Sequence, residues 1–370
     1  MQTILIVDDD QQLLEGLAAV LQSPGRRIVL SGDIESAQLV MEHEAPDCVV
    51  TDVRLTGLFR YEGLDFISEI KRLSANTRVI VMTGVYTDDL QREALKRGAA
   101  VVLEKPFAMA DLEAHLTEPA DTAAPSVVRI PSLDQVIDSP LFVPVFQPII
   151  DLSSGSVHGY ESLARFHGTL FSNPAILFEY ASRKGRLLDL ELACIRHTLA
   201  HGASLAATTK LFINVHPAVM ASEKLVPALG AALAEAHIDP RRVVLEITEQ
   251  GSLGDSAMVA RRCGELRDLG LSFALDDVGM AYSHLPHIER ILPIYLKVSQ
   301  DFGTDFEVHP TRRKIVRNVL ALAKDFNCDL ILEGIESAQT RDAALDLGVA
   351  LGQGYFFCRP SSAASFGVPG

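Results

Sequence analysis

Through its C-terminal two-thirds the chain repeats one pattern. A short apolar run ends on a carboxylate, an amide or a lysine, and a longer amphipathic stretch follows. The runs are HGYESLARF with Glu161, KLFINV with Asn214, VVLEIT with Glu246, LSFALDD with Asp276 and Asp277, IYLKVS with Lys297, LILEGIE with Glu333, and the weaker LGQGYFF with Gln353. Most are spaced by one strand–helix unit of roughly 30 residues. Helical periodicity covers Leu187–Leu199, Ala218–Ala236, Ser256–Asp268, Arg312–Asp325 and Ala338–Leu347, and VPVFQPII adds a strand at the front. Eight strands alternating with helices predict a (β/α)₈ TIM-like barrel over residues 133–370, with its polar strand ends opening on one face. The stretch from Glu161 to Asn214 is longer than one repeat and should hold an extra helix.

Residues 1–118 alternate differently, as TILIV, RIVL, DCVVTD, RVIVMT and AVVLEKP, separated by the helical stretches Gln11–Gln22, Ser36–Glu44, Gly63–Leu73 and Asp88–Arg97. This predicts a doubly wound, five-stranded parallel α/β domain. Between the two, residues 119–132 (within TEPADTAAPSVVRIPS) are rich in Ala, Pro and Ser and read as a linker.

A length of 370 residues suits two such domains. The net charge of −15 and the lack of any Lys/Arg cluster exclude general nucleic-acid binding, and no DNA-binding element follows the barrel. The 5 cysteines are scattered and odd in number, so they read as buried thiols of a reducing compartment rather than disulfides or a zinc site. No leader is visible and no apolar stretch reaches the ~20 residues of a membrane span. A cytoplasmic protein without membrane contact is the expectation.

In the first domain Asp8, Asp9, Asp52, Thr83 and Lys105 all fall at strand ends, which meet in the crevice of a doubly wound sheet. Three carboxylates there call for a cation, and oxygen donors favour Mg²⁺. A metal-bound aspartate beside a lysine is equipped to accept a phosphoryl group. Capping of the first helix by Asp8 and Asp9 is the alternative. Residues 1–118 resemble a two-component response-regulator receiver. The resemblance implies Asp52 as phosphoacceptor, Asp8 and Asp9 as Mg²⁺ ligands with it, Thr83 as switch hydroxyl, Lys105 as phosphate contact, and a cognate sensor histidine kinase as partner. Thr56 replaces the proline usual after the phosphoacceptor in a loop with extra residues, and Val102 replaces the aromatic switch residue.

In the barrel, Glu161, Asn214, Glu246 and Asp276 offer hard oxygens to one ion, and Asp276 with Asp277 can bridge to a second. Two such ions hydrolyse phosphodiesters, and oxygen ligands favour Mg²⁺ or Mn²⁺ over zinc. Plainer roles exist: Asn214 before His216-Pro217 suits a helix cap, Glu246 and Glu249 a solvated strand edge, Gln353 a turn, and Arg165 a surface cation. His216, His284 and His287 read as structural. The ordered set Gln147-Pro148, Glu161-Ser162-Leu163 with Arg165, Asn214, LEITE with Glu246 and Glu249, Asp276-Asp277, Leu296-Lys297, Glu333-Gly334-Ile335-Glu336 and Gly352-Gln353-Gly354-Tyr355 resembles the EAL family of cyclic di-GMP phosphodiesterases.

That resemblance implies hydrolysis of cyclic di-GMP to linear pGpG with two Mg²⁺ or Mn²⁺ ions, and a homodimer or higher oligomer. It also implies Glu333 as general base and Lys297 beside the attacking water. Gln147, Leu163, Arg165 and Gln353 become substrate contacts, while Glu249 and Glu336 support the loops. Ser162 stands for the usual alanine and Ser299 for an aspartate. Val278, Met280 and Ala281 stand for Phe, Thr and Gly in the loop after strand five. A catalytically silent cyclic di-GMP receptor or scaffold is the competing expectation.

Overall fold

The computed structural model describes residues 1–53, 62–116, 123–138, 142–166, 173–248, 256–279 and 284–366. They form two compact units, residues 1–139 with 166–186, and residues 140–165 with 187–370.

The first unit is built on strands β1 (Gln2–Val7), β2 (Arg26–Ser31), β3 (Cys48–Asp52), β4 (Arg78–Thr83), β5 (Val101–Glu104) and β6 (Ser126–Arg129). Their order is β5-β4-β3-β1-β2-β6, with every pairing parallel. Helices α1 (Gln11–Leu21), α2 (Ile34–Glu44), α3 (Glu62–Leu73), α4 (Asp88–Lys96), α5 (Met109–Glu113) and α6 (Leu133–Asp138) connect or follow the strands. Ile4, Ile6, Val50, Ile80 and Met82 are fully buried, as a parallel sheet covered on both faces requires. Helices begin where a side chain satisfies their first N–H groups: Asp10 accepts from Gln12 and Leu13, Asp33 from Ser36, and Thr87 from Leu90. The cap of α1 is therefore Asp10, which leaves Asp8 and Asp9 for other work.

One stretch departs from the sequence reading. Within the expected linker 119–132, Ser126–Arg129 forms β6 and pairs with β2 in parallel. Two valines in SVVR suit an edge strand, and pairing covers the open edge of β2. Four residues are too few for periodicity to stand out against the Ala/Pro/Ser background. The extra helix expected between Glu161 and Asn214 is α7 (Pro174–Arg183), started by an Asn173 cap and a proline in its first turn. It belongs to the first unit, where the Tyr180 hydroxyl donates to Asp33 Oδ2 at 2.6 Å.

The second unit is a closed barrel in the order β10-β11-β12-β13-β14-β7-β8-β9. The strands are β7 (Phe142–Asp151), β8 (Val157–Phe166), β9 (Lys210–Val215), β10 (Val243–Thr248), β11 (Ser272–Val278), β12 (Tyr295–Val298), β13 (Asp329–Leu332) and β14 (Leu351–Gly352). The helices are α8 (Leu187–Gly202), α9 (Leu225–Glu235), α10 (Ser256–Asp268), α11 (His284–Ile291), α12 (Gln300–Gly303), α13 (Pro310–Asp325) and α14 (Ala338–Leu347). The predicted helix Ala218–Ala236 is split, with a 3₁₀ turn at Pro217–Ala221 preceding α9. Neighbours from β8 through β14 run parallel, whereas β7 is antiparallel to β14. The barrel is TIM-like with one reversed strand.

Strand alternation places the polar residues. One apolar cluster inside the barrel holds Ile149, Phe212, Val244, Ala274, Tyr295, Ile331 and Leu351. Leu211, Leu245, Leu275, Leu296 and Leu332 belong to another cluster that includes helix residues. Side chains two apart on a strand share a face. Asn214, Glu246, Asp276, Lys297, Glu333 and Gln353 each follow an interior residue by two. Gln147 precedes Ile149 by two instead, because β7 runs the other way. The apolar plug fills one end of the barrel and the polar set crowns the other.

Candidate active site

Lys297 is fully buried at the centre of the crown. Its Nζ lies 2.8 Å from Glu333 Oε1, 2.9 Å from Glu246 Oε1, 3.3 Å from Glu161 Oε2 and 3.6 Å from Asp276 Oδ1. Burial alone would discharge an ammonium, but the carboxylates of Asp276, Glu161, Glu246 and Glu333 outweigh it and hold Lys297 well above the ordinary lysine value. Burial drives Glu246 well above the carboxylate range and Glu333 up to about 8. Glu161 goes the other way. Burial raises it, yet Lys297 and hydrogen bonds from Gln353 and Asn214 pull it below its ordinary value. One cation thus serves four acids, a surplus of negative charge in a dry site.

Amides fix the geometry. Gln353 Nε2 donates to Glu161 Oε2 at 2.6 Å and to Gln147 Oε1 at 3.0 Å. Asn214 Nδ2 donates to Glu161 Oε1 at 3.1 Å, which leaves its carbonyl oxygen as a donor atom for an ion. Gln147 Nε2 reaches back to the carbonyl of Cys358 at 3.2 Å. The β11–β12 register slips between Leu275 and Val278, and within that bulge the Asp277 N–H donates to Asp276 Oδ1 at 2.9 Å. Asp277 has φ 58°, the left-handed conformation that aspartate tolerates better than most residues.

Both oxygens of the fully buried Glu246 lack a hydrogen-bond partner, and the contact with Lys297 is one of charge rather than hydrogen-bond geometry. Orphaned hard oxygens on a buried acid, beside the oxygens of Glu161, Asn214 and Asp276, fit Mg²⁺ or Mn²⁺. A polar cavity of about 240 Å³ opens over them, lined by Gln147, Glu161, Leu163, Arg165, Asp276, Gln300, Glu333, Glu336, Gln353 and Tyr355. Asp277 is not among its lining residues. Tyr355 belongs to the Gly352-Gln353-Gly354-Tyr355 motif, whereas Gln300 carries no motif, and its position just past the lysine-bearing strand is the available signal. Arg165 Nη1 donates to the carbonyl of Ala164 at 2.9 Å while lining the cavity.

Two glycines let the loops approach. A Cβ on Gly303 would meet the Glu333 carbonyl oxygen at 1.7 Å, and one on Gly354 the Ile335 carbonyl oxygen at 2.0 Å. His216, read as structural, caps the turn after β9 by accepting from the Ala218 N–H through Nδ1 at 3.2 Å. The capping role open to Asn214 is thus filled by His216. Ser299 caps α12, accepting from the Asp301 N–H. Glu249, Met280 and Ala281, and the side chains of His284 and His287, lie outside the described residues. Four cysteines are buried and Cys358 is partly exposed, all as free thiols.

In the first unit, Lys105 Nζ donates to Asp8 Oδ2 and Asp52 Oδ2, each at 2.7 Å. Asp8 is buried, and desolvation raises it above the ordinary aspartate value despite that partner. Burial lowers the Lys105 value, but its bonds to Asp52 and Asp8 carry it above the usual one. Asp9 is exposed at the crevice rim. Three carboxylates at one rim with a single lysine fit Mg²⁺. Thr83 is buried, and its hydroxyl hydrogen-bonds the backbone of Val85. Val102 is buried in β5. Thr56 lies outside the described residues. Elsewhere among the described residues, Glu42, His43 and Glu179 have ligand atoms within 4.8 Å of one another, but they are exposed and Arg183 pairs with both acids.

The EAL domain model matches residues 132–360, and the response regulator receiver domain model matches residues 4–117. The cyclic di-GMP phosphodiesterase RocR of Pseudomonas aeruginosa is 27% identical over 381 residues, covering 96% of this chain and 95% of RocR. The cyclic di-GMP-bound structure of a standalone EAL protein from Vibrio cholerae matches with a TM-score of 0.53 at 27% identity, over 60% of this chain and 93% of that one. The EAL domain of Mycobacterium smegmatis DcpA matches with a TM-score of 0.51 at 25% identity, over 61% of this chain and 97% of that one. Among the described residues, no helix is long and apolar enough to cross a membrane.

Proposed function

Because the chain belongs to the EAL domain family and carries a response regulator receiver domain ahead of the barrel, we propose that it hydrolyses cyclic di-GMP to linear pGpG under the control of phosphorylation at Asp52. The observation that carries this reading is the fully buried Lys297 ringed by Glu161, Glu246, Asp276 and Glu333 under an open polar cavity. Burying so many acids around one cation is costly and serves packing poorly.

Glu161, Asn214, Glu246, Asp276 and Asp277 would hold two Mg²⁺ or Mn²⁺ ions. Bound there, the pair supplies charge neutralisation for the phosphodiester and makes water a nucleophile near neutral pH. The rest falls to the protein. Glu333, at the cavity wall, takes the proton of the attacking water. Lys297 holds Glu333 and Glu246 in place and balances charge as that proton moves. Gln353 and Gln147 fix the Glu161 carboxylate, and Arg165 offers the phosphate a charge-assisted donor. Leu163 gives the substrate an apolar wall. Glu249 and Glu336 support the loops around the site.

Water attacks phosphorus as its proton passes to Glu333, the P–O3′ bond breaks, O3′ takes up a proton to leave as the 3′-hydroxyl, and the product keeps a 5′-phosphate. In the receiver, Asp8, Asp9 and Asp52 hold one Mg²⁺, and a sensor histidine kinase supplies the phosphoryl group. Cytoplasmic location and a homodimer complete the reading. The receptor alternative is favoured by Val278 at the end of β11 and by Met280 and Ala281 beyond it in the sequence. Incubation with cyclic di-GMP and Mn²⁺ or Mg²⁺, followed by chromatography, separates the two. Metal-dependent pGpG supports the hydrolase, whereas tight binding of intact cyclic di-GMP supports the receptor.

A further inference from the structure

Helix α8 lies in the second unit from Leu187 on, and its buried face is apolar except at two places. Glu191 is only 3% exposed, and its Oε1 accepts from the His216 backbone N–H at 2.8 Å. Thr198 is 2% exposed, and its hydroxyl hydrogen-bonds the hydroxyl of Ser162 at 2.8 Å. Seven residues apart, Glu191 and Thr198 share one face of the helix two turns from each other. Each contact ends beside a candidate metal ligand. Ser162 follows Glu161 on β8, and His216 lies two residues past Asn214 on β9. Between them, Asn214 donates to Glu161 at 3.1 Å.

No cation pairs with Glu191 among the described residues. A carboxyl buried without one is costly, and an apolar side chain would pack the same space at less expense. What the carboxyl provides is an acceptor for a backbone N–H that the 3₁₀ turn after β9 leaves over. Ser162 likewise gains a specific partner that alanine, usual at its place in the resemblance, could not engage.

We propose that Glu191 and the Thr198–Ser162 pair are positioning residues, tethers from α8 that set the separation of Glu161 and Asn214 and so tune how tightly the barrel holds its divalent ions. The inference rests on the metal-dependent reading above. Groups that orient ligands typically change metal affinity about 10- to 100-fold. Since these act one step further back, through the backbone, the lower end applies.

The full chain is titrated with Mn²⁺ without substrate, followed by electron paramagnetic resonance of the free ion, and thermal unfolding is recorded without metal. Glu191→Leu, which removes the acceptor at similar size, should raise the Mn²⁺ dissociation constant about tenfold. Glu191→Gln, which keeps an acceptor, should return it to near the wild-type value. Thr198→Val serves if Glu191→Leu does not fold, and should weaken Mn²⁺ several-fold. The double change Ser162→Ala with Thr198→Val should recover stability, since neither hydroxyl is then orphaned, but not Mn²⁺ affinity.

Unchanged Mn²⁺ affinity in Glu191→Leu and Thr198→Val, with only the melting temperature lowered, overturns the proposal and leaves α8 a packing helix. Because the titration holds no substrate, it stands apart from turnover: a wild type that binds Mn²⁺ there but makes no pGpG when separately given cyclic di-GMP overturns the phosphodiesterase reading alone.

Discussion

Lys297 and its four acids are where single residues decide the chemistry. Glu333 touches Lys297 at 2.8 Å and lines the cavity, whereas Glu161 sits among the amides. Glu333→Gln should therefore cost turnover at least about 100-fold, the usual range for a lost general base, while Mn²⁺ binding stays within about twofold. Glu161→Ala should lose both. Turnover and Mn²⁺ titration on the same samples check this, and loss of binding in Glu333→Gln would assign it to the metal set.

A second prediction concerns pH. Burial pushes Glu191 up to about 7, above the roughly 4.3 of an unfolded glutamate. The native state keeps a proton that the unfolded chain gives up, so this contribution is intact below about pH 4.3 and drains away as pH rises through 7. Glu191→Gln removes the dependence. In EDTA, the variant should gain up to about 3 kcal/mol relative to wild type between pH 5 and pH 8. An equal difference in melting temperature at both pH values would contradict it.

At the scale of elements, the barrel shows why its site could be read from sequence. Phe212 and Asn214, Val244 and Glu246, and Tyr295 and Lys297 are pairs two residues apart on single strands, and Glu333 follows Ile331 by two just past the end of β13. An apolar run ending in a polar residue of the same parity reports an interior position at the open end. Other features had no such signature. β6 is too short to show a period, and the reversal of β7 leaves its alternation unchanged, since period two has no direction. Glu191 looked like any charge on an amphipathic helix, because burial of one helical carboxyl depends on what the helix packs against.

Gly303 was equally silent. It ends α12 under the Glu333 carbonyl, where a Cβ would come within 1.7 Å. Gly303→Ala should displace the end of β13 and cut turnover at least about tenfold, with the far-ultraviolet circular dichroism unchanged. Full activity in that variant would show that the loop carrying Glu333 can shift without penalty.

For the whole molecule, the receiver crevice and the barrel crown are separate sites on one chain. Residues 173–186, which stand between β8 and α8 in the sequence, fold with the first unit. β8 carries Glu161, Leu163 and Arg165, so the covalent chain itself joins the receiver unit to the metal set. An ordered switch in the receiver should then alter turnover, with Val102 in place of an aromatic keeping the change small. Beryllofluoride with Mg²⁺ should change the rate of the wild type about two- to fivefold and leave Asp52→Ala unaffected. Equal rates in all four samples would show that phosphorylation does not govern this output.

The central claim is that the acids around Lys297 serve hydrolysis of cyclic di-GMP, and the fate of the water oxygen tests it most directly. The wild type and Glu333→Gln are incubated with cyclic di-GMP and Mn²⁺ in ¹⁸O-enriched water, and the products are weighed by mass spectrometry. The account predicts pGpG from the wild type with one ¹⁸O in its 5′-phosphate, and at most traces from Glu333→Gln. Intact cyclic di-GMP from the wild type, or equal labelled product from both proteins, would contradict it.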